Sequence, residues 1–208
     1  MNISIGRYKN NWDFFVYPAQ LPTVSENIVV TQRLDENALT TLQNGGKVLL
    51  TLKKGSVPAK LGGNIAIGFS SIFWNTAWTN GQPPVTLGIL CDPGNPAFGS
   101  FPTQKYSNWQ WWDAMSHSSP LMIDSLSKEL KPIVRVIDDW VTARSLGLVV
   151  ECKVGKGRLI ISGIDLLTDA EKRPEARQLL YSLKSYMAQN EFDPKVSLDL
   201  NKVRSLYQ

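Results

Sequence analysis

Apolar positions in this chain come in short runs separated by glycine, proline and polar turns, a pattern of several strands with few helices. Ile28-Val29-Val30-Thr31 is β-branched and short, as a strand would be. Asp35 then stands where a helix N-cap belongs, and Ala38, Leu39 and Leu42 fall on one face of a helix reaching about Gln43. Gly45 suits the left-handed turn that ends it. The run from Val48 to Leu52 is continuously apolar, as expected of a strand covered on both faces. Residues 28–52 therefore predict a strand–helix–strand unit with a parallel strand pair.

Phe14 to Tyr17 predicts another short strand, stopped by Pro18, after an irregular segment over residues 1–12. Ile65-Ala66-Ile67 is a further strand candidate, and residues 69–78 are ambiguous. Gly81-Gln82-Pro83-Pro84 predicts a turn, and residues 87–90 a buried strand. Asn95 suits a cap for a short helical turn ending near Gly99. Residues 132–137 predict a strand. Residues 147–154 and 158–161 form the clearest hairpin signal, joined by Gly155-Lys156-Gly157. That Gly-Lys-Gly lacks the full pattern of a phosphate loop. A helix over about 174–190 starts at Pro174 and carries an apolar stripe of Ala176, Leu179, Leu180, Leu183, Tyr186 and Met187. The polar residues 195–208 predict a loosely attached tail. The whole predicts one α/β domain over 1–194, with a central, mainly parallel sheet flanked by helices and a late antiparallel hairpin.

Composition narrows the function classes. The 208 residues are 43% hydrophobic and 19% charged, as in an ordinary globular protein. The net charge of +4 is spread along the chain without a basic run, which argues against a nucleic-acid footprint. No apolar run approaches the roughly 18–20 residues of a membrane span. No signal peptide is visible, as in a cytoplasmic protein or a segment of a longer exported chain. Cys91 and Cys152 lie in apolar runs and predict buried free thiols. One histidine and two scattered cysteines argue against a structural zinc site, and no motif calls for a cofactor.

The candidate chemistry centres on residues 101–113, which hold three of the seven tryptophans. Each tryptophan buries on the order of 200 Å². On a helical turn Trp109 and Trp112 share a face and Trp111 points elsewhere; on a strand Trp109 and Trp111 share one. Either way the rings diverge, so at least one leaves the core. Asn108, Trp109, Gln110, Trp111, Trp112 and Asp113 are the candidate carbohydrate or interdomain surface. Core, interface and ligand platform all remain open for them. His117, in a serine-rich turn, is a weak candidate base or a plain loop histidine. Asp165, at a strand end, is a weak cleft candidate or a turn acid. Asp138 with Asp139 suggests either paired carboxylates or a solvated turn, and Glu151 lies within the hairpin.

A resemblance rests on Asn11-Trp12, Val16-Tyr17-Pro18, Asn44-Gly45-Gly46-Lys47-Val48, Phe73-Trp74-Asn75, Phe101-Pro102-Thr103, Ser107-Asn108-Trp109-Gln110-Trp111-Trp112-Asp113 and Arg173-Pro174-Glu175-Ala176-Arg177-Gln178. In this order the pieces resemble the C-terminal region of bacterial glycoside hydrolases of the family 2, β-galactosidase-like kind. The tryptophan stretch is the most specific piece, and the likeness spans roughly residues 8–194. It implies a non-catalytic accessory domain with a flavodoxin-like, class I glutamine amidotransferase-like fold. Its implied partners are the other domains of a parent glycoside hydrolase, a neighbouring subunit and carbohydrate. It also implies an exported, periplasmic parent chain. The family's catalytic glutamates lie in a separate barrel, so no catalytic residue carries over. Cys91 lacks the elbow glycines of an amidotransferase nucleophile, so that chemistry does not follow from the fold. The alternatives are a carbohydrate-binding module in its own right and a free-standing hydrolase using Asp138, Glu151 or Asp165.

Overall fold

Strand β4 (Lys47–Thr51) sits inside a seven-stranded sheet, pairing in parallel with β3 (Ile28–Thr31) on one side and β9 (Gly157–Ser162) on the other. The computed structural model describes residues 1–69 and 85–207. The expected strand–helix–strand unit is present: α1 (Glu36–Gln43) joins β3 to β4. Asp35 caps it, its carboxylate accepting from the Ala38 amide at 2.9 Å. Gly45 takes a φ of +82° just beyond it, a left-handed conformation open to glycine at little cost.

The mainly parallel, flavodoxin-like sheet is corrected. Beyond β9 the pairings between strands are antiparallel: β9 to β8 (Leu146–Val154), β8 to β7 (Val134–Val136), β7 to β5 (Ile89–Cys91), and the two-residue β6 (Leu121–Met122) to the start of β8. Parallel neighbours need long crossovers, usually helical. The two-residue turn Gly155-Lys156 can only reverse the chain, with Gly155 at a φ of +58°. Five helices are present among the described residues, and only α1 and α4 (Pro174–Ala188) reach eight residues or more. The others are α2 (Trp111–Ser116), α3 (Ile123–Leu126) and α5 (Leu200–Arg204).

Both sheet faces are covered. Leu49, Ile160 and Leu148 pack on one side with Leu179, Leu183 and Met187 of α4 and Trp111 and Met115 of α2. Val48, Leu50, Leu159 and Ile161 pack on the other with Ala38 and Leu42 of α1, Leu126 of α3, and Val203 of α5. A register shift opposite Leu148 lets β8 feed Leu146, Leu148 and Val149 to the first side, and Val150, Cys152 and Val154 to the second.

Several local expectations also change. The segment over residues 1–12 is a ribbon of β1 (Asn2–Ile5) and β2 (Tyr8–Asn11), exposed along its length. Phe14 to Tyr17 and residues 65–67 are not strands. The tail expected to be loose over 195–208 is attached over its described residues, 195–207. Lys153 and Leu198 bond it to β8, and Leu198, Val203 and Leu206 are buried. The turn expected at residues 81–84, and residues 73–75 of the resemblance, lie outside the described residues.

Candidate functional site

The tryptophan stretch opens α2, and helical spacing sorts its rings. Trp111 is 0% exposed, its ring edge-on to Phe98 and Phe101, and its indole N–H donates to Thr103 Oγ1 at 2.7 Å. Trp109 is 70% exposed and Trp112 is 53% exposed. Their centroids lie 6.2 Å apart, and Phe69 packs on each at 5.4 Å. The helical alternative therefore holds, and at least one ring leaves the core as expected. A mutually packed aromatic face of this size is more than scattered surface hydrophobicity.

The polar members divide. Gln110 is buried, accepting from the Tyr17 phenol at 2.8 Å and donating to the Pro102 carbonyl at 2.8 Å. Both polar atoms of the Asn108 amide are buried without a hydrogen-bond partner among the described residues. Asp113 accepts from Arg173 Nε at 3.0 Å and from Nη2 at 2.8 Å. Arg173 in turn donates to the Asp165 and Thr168 carbonyls at 2.7 and 3.0 Å.

That network brings His117 and Asp165 together. His117 Nδ1 lies 2.8 Å from the Asp113 carbonyl and 3.3 Å from its carboxylate, and the Asp165 amide donates to the His117 carbonyl at 2.9 Å. The Asp165 carboxylate accepts from Gln32, from the Thr168 amide and hydroxyl, and from the Lys54 and Leu167 amides. Burial alone would push its pKa up; these bonds outweigh burial and hold it below the ordinary carboxylate value. Such a carboxylate is already spoken for, which suits a turn anchor better than a base.

The remaining acids are also committed. Asp138 and Asp139 are buried, not solvated, and both reach Arg144. Glu151 accepts from the Tyr186 hydroxyl at 2.7 Å, and burial raises its pKa. Cys152 is a buried free thiol whose pKa burial pushes up to about 12, whereas Cys91 is only half-buried. Among the described residues no cluster of His, Cys, Asp and Glu could hold a metal ion. Likewise, no helix there is long and apolar enough to cross a membrane.

One feature was not foreseen. The segment after β2 runs beside α2 and encloses a cleft of about 450 Å³ with Trp109, Gln110 and the first turn of α4. Trp12, Asp13 and Phe14 form one wall, and Trp109 and Glu175 the other. Tyr17 anchors the segment, its ring stacked on Phe101 at 6.3 Å with 2° between planes. The density of aromatics between Trp12 and Tyr17 was the only sequence sign of this wall.

A mixed α/β domain with helices on both sheet faces and an aromatic cleft at one corner is thus the class of protein. A family model described as Domain of unknown function (DUF8487) matches residues 29–208, and the chain belongs to that family. A search of curated proteins finds no match to the chain.

Proposed function

We propose that this domain is a non-catalytic accessory domain of a glycoside hydrolase of the β-galactosidase-like kind, offering its aromatic corner to carbohydrate. The observation that carries the reading is the pairing of Trp109, in the turn that leads into α2, with Trp112 in its first turn, both exposed where the Arg173–Asp113 ion pair holds α2 in place. The two ring planes are inclined at 56°, so each ring offers its own face to the apolar side of a pyranose, and an anchored segment requires little rearrangement on binding. The adjoining cleft falls within the range of about 300–1,000 Å³ typical of small-molecule sites. The engagement of Asp138, Glu151 and Asp165 in internal bonds supports a role without hydrolysis.

A second reading is favoured by the β1–β2 ribbon, where Ile5 and Tyr8 stand exposed. In that reading the ribbon and the tryptophans pack on the catalytic barrel or a neighbouring subunit.

The test is titration of the purified chain with oligosaccharides, followed by tryptophan fluorescence, beside Trp109→Ala and Trp112→Ala. Saturable binding lost in both variants supports the carbohydrate role. Absence of glycan binding, with association to a separately expressed barrel domain lost in Ile5→Asp, moves the conclusion to the second reading. Turnover of aryl β-glycosides that Glu151→Gln or Asp165→Asn abolishes would reject both.

A further inference from the structure

We infer that the cleft between Trp12 and Trp109 selects sugars bearing a protonated amine, glucosamine-type units over neutral or N-acetylated ones. This rests on the carbohydrate reading above and adds the substrate class.

The charge lining the cleft carries the argument. The chain as a whole is at +4, yet Asp13 and Glu175 line this space and, among the described residues, no lysine or arginine does. Met1 also lines it, its backbone nitrogen donating to the Trp12 carbonyl. Neither carboxylate is consumed by the fold as Asp113, Asp138 and Asp165 are. Asp13 receives one long contact from Gln104 Nε2 at 3.5 Å, and Glu175 has no side-chain hydrogen bond or ion pair among the described residues. Gln110, at the base, spends its amide oxygen on Tyr17 and its amide nitrogen on Pro102. Among the described side chains that line the cleft, the free acceptors are therefore the two carboxylates, set beside aromatic faces.

Aromatic faces and carboxylates share one preference. The negative face of an indole attracts a cation, and a carboxylate accepts charge-assisted hydrogen bonds from an ammonium. A neutral hexose gains from stacking but supplies no charge to Asp13 or Glu175. A phosphorylated or uronic sugar would be repelled. An amino sugar satisfies the rings and the acids together.

The experiment uses the 208-residue chain with a C-terminal tag. It is titrated at pH 6 and low salt with glucosamine tetramer, N-acetylglucosamine tetramer and a neutral β-linked glucose tetramer. The expected result is at least about ten-fold tighter binding of the glucosamine tetramer. That preference should shrink as salt is raised. Glu175→Gln and Asp13→Asn should each cut it, while circular dichroism stays unchanged. Equal binding of all three tetramers, lost in Trp109→Ala, overturns the amine preference and leaves the carbohydrate reading standing. A preference that survives the double substitution overturns the assignment to this cleft. Binding of none overturns the inference and the reading beneath it.

Discussion

Arg173 and Asp113 form a forked ion pair, with Arg173 Nη2 2.8 Å from Oδ2 of Asp113 and Nε 3.0 Å from each carboxylate oxygen. Its members stand immediately before α4 and inside α2, so one interaction ties the tryptophan helix to the loop after β9. Arg173 is buried, and breaking such a pair from one side leaves a carboxylate short of partners. Arg173→Ala is therefore expected to cost about 3 kcal/mol. Arg173→Lys should recover only part of that, since an ammonium lacks the planar fork. Urea unfolding midpoints check this; an Arg173→Ala midpoint equal to the parent's would show that the pair contributes nothing.

The rings of the tryptophan stretch should separate in stability as they do in space. Trp111 is enclosed by Phe98 and Phe101, so Trp111→Ala is expected to cost about 3–5 kcal/mol. Trp109 gives up mainly its contacts with Phe69 and Trp112, and Trp109→Ala should cost about 1 kcal/mol or less. Thermal melts of the two variants measure the difference. Similar losses would mean that the exposed ring is part of the folded framework rather than a surface feature.

What could be read from the chain was local. The cap at Asp35, the left-handed Gly45, the hairpin around Gly155 and the stripe from Ala176 to Met187 depend on near neighbours, and each is present. The helical sorting of Trp109, Trp111 and Trp112 was legible for the same reason. The sheet's order was not. The pairing of β4 with β9 joins segments more than a hundred positions apart, and nothing in either strand's composition names its partner. The antiparallel pairing of β5 with β7 was equally illegible, because the long connection that carries α2 and α3 between them is compatible with either direction. The β1–β2 ribbon was missed because Asn2 to Asn11 carries few strand-favouring residues and buries none of them. The cleft escaped notice because Trp12 and Glu175 meet only in three dimensions.

Stability should depend on pH through two groups of acids acting in opposite directions. In Asp138 burial raises the pKa, but bonds from the Arg144 side chain and amide outweigh it and hold the carboxyl below its ordinary 3.8; Asp165 is depressed likewise. A depressed folded pKa contributes stability above the ordinary value that is lost as pH falls through the folded one. Melting temperature should therefore drop as pH falls below about 4, less steeply in Asp138→Asn. Glu151 runs the other way. Burial chiefly raises its pKa above 4.5, against the opposing bond from Tyr186. Its contribution is present below 4.5 and is lost as pH rises through the folded value. Glu151→Gln keeps an acceptor for the Tyr186 hydroxyl and removes the buried charge. It is expected to melt higher than the parent at pH 7, with the advantage gone at pH 4. A variant less stable than the parent at pH 7 would show that the charged form is favoured by the fold.

The C-terminal segment gives the sharpest contrast between a tail read as polar and a tail that is built in. Its backbone joins the far end of β8, beyond the reach of β7, through Lys153, whose amide donates to the Val196 carbonyl and whose carbonyl accepts from the Leu198 amide, both at 2.8 Å. Leu198, Val203 and Leu206 then complete the apolar layer over Leu42, Leu50 and Val150. The Leu34 amide donates to the Tyr207 hydroxyl at 3.2 Å, and the Lys202 ammonium donates to the Leu126 carbonyl. Each buried aliphatic side chain contributes about 1.5–3 kcal/mol. Truncation after Pro194 should then remove about 5 kcal/mol or more, comparable with the whole stability of many domains. That variant is expected to be unfolded or aggregated at 37 °C. Point variants keep the question measurable if it is: Leu206→Ala should cost about 2–5 kcal/mol and Tyr207→Phe about 1–3 kcal/mol, through the amide left unpaired at Leu34. Hydrogen exchange gives an independent readout, since the Leu198 amide should be protected as strongly as those of β8. Free exchange at Leu198, together with an unchanged midpoint on truncation, would return residues 195–208 to the status of a loose tail.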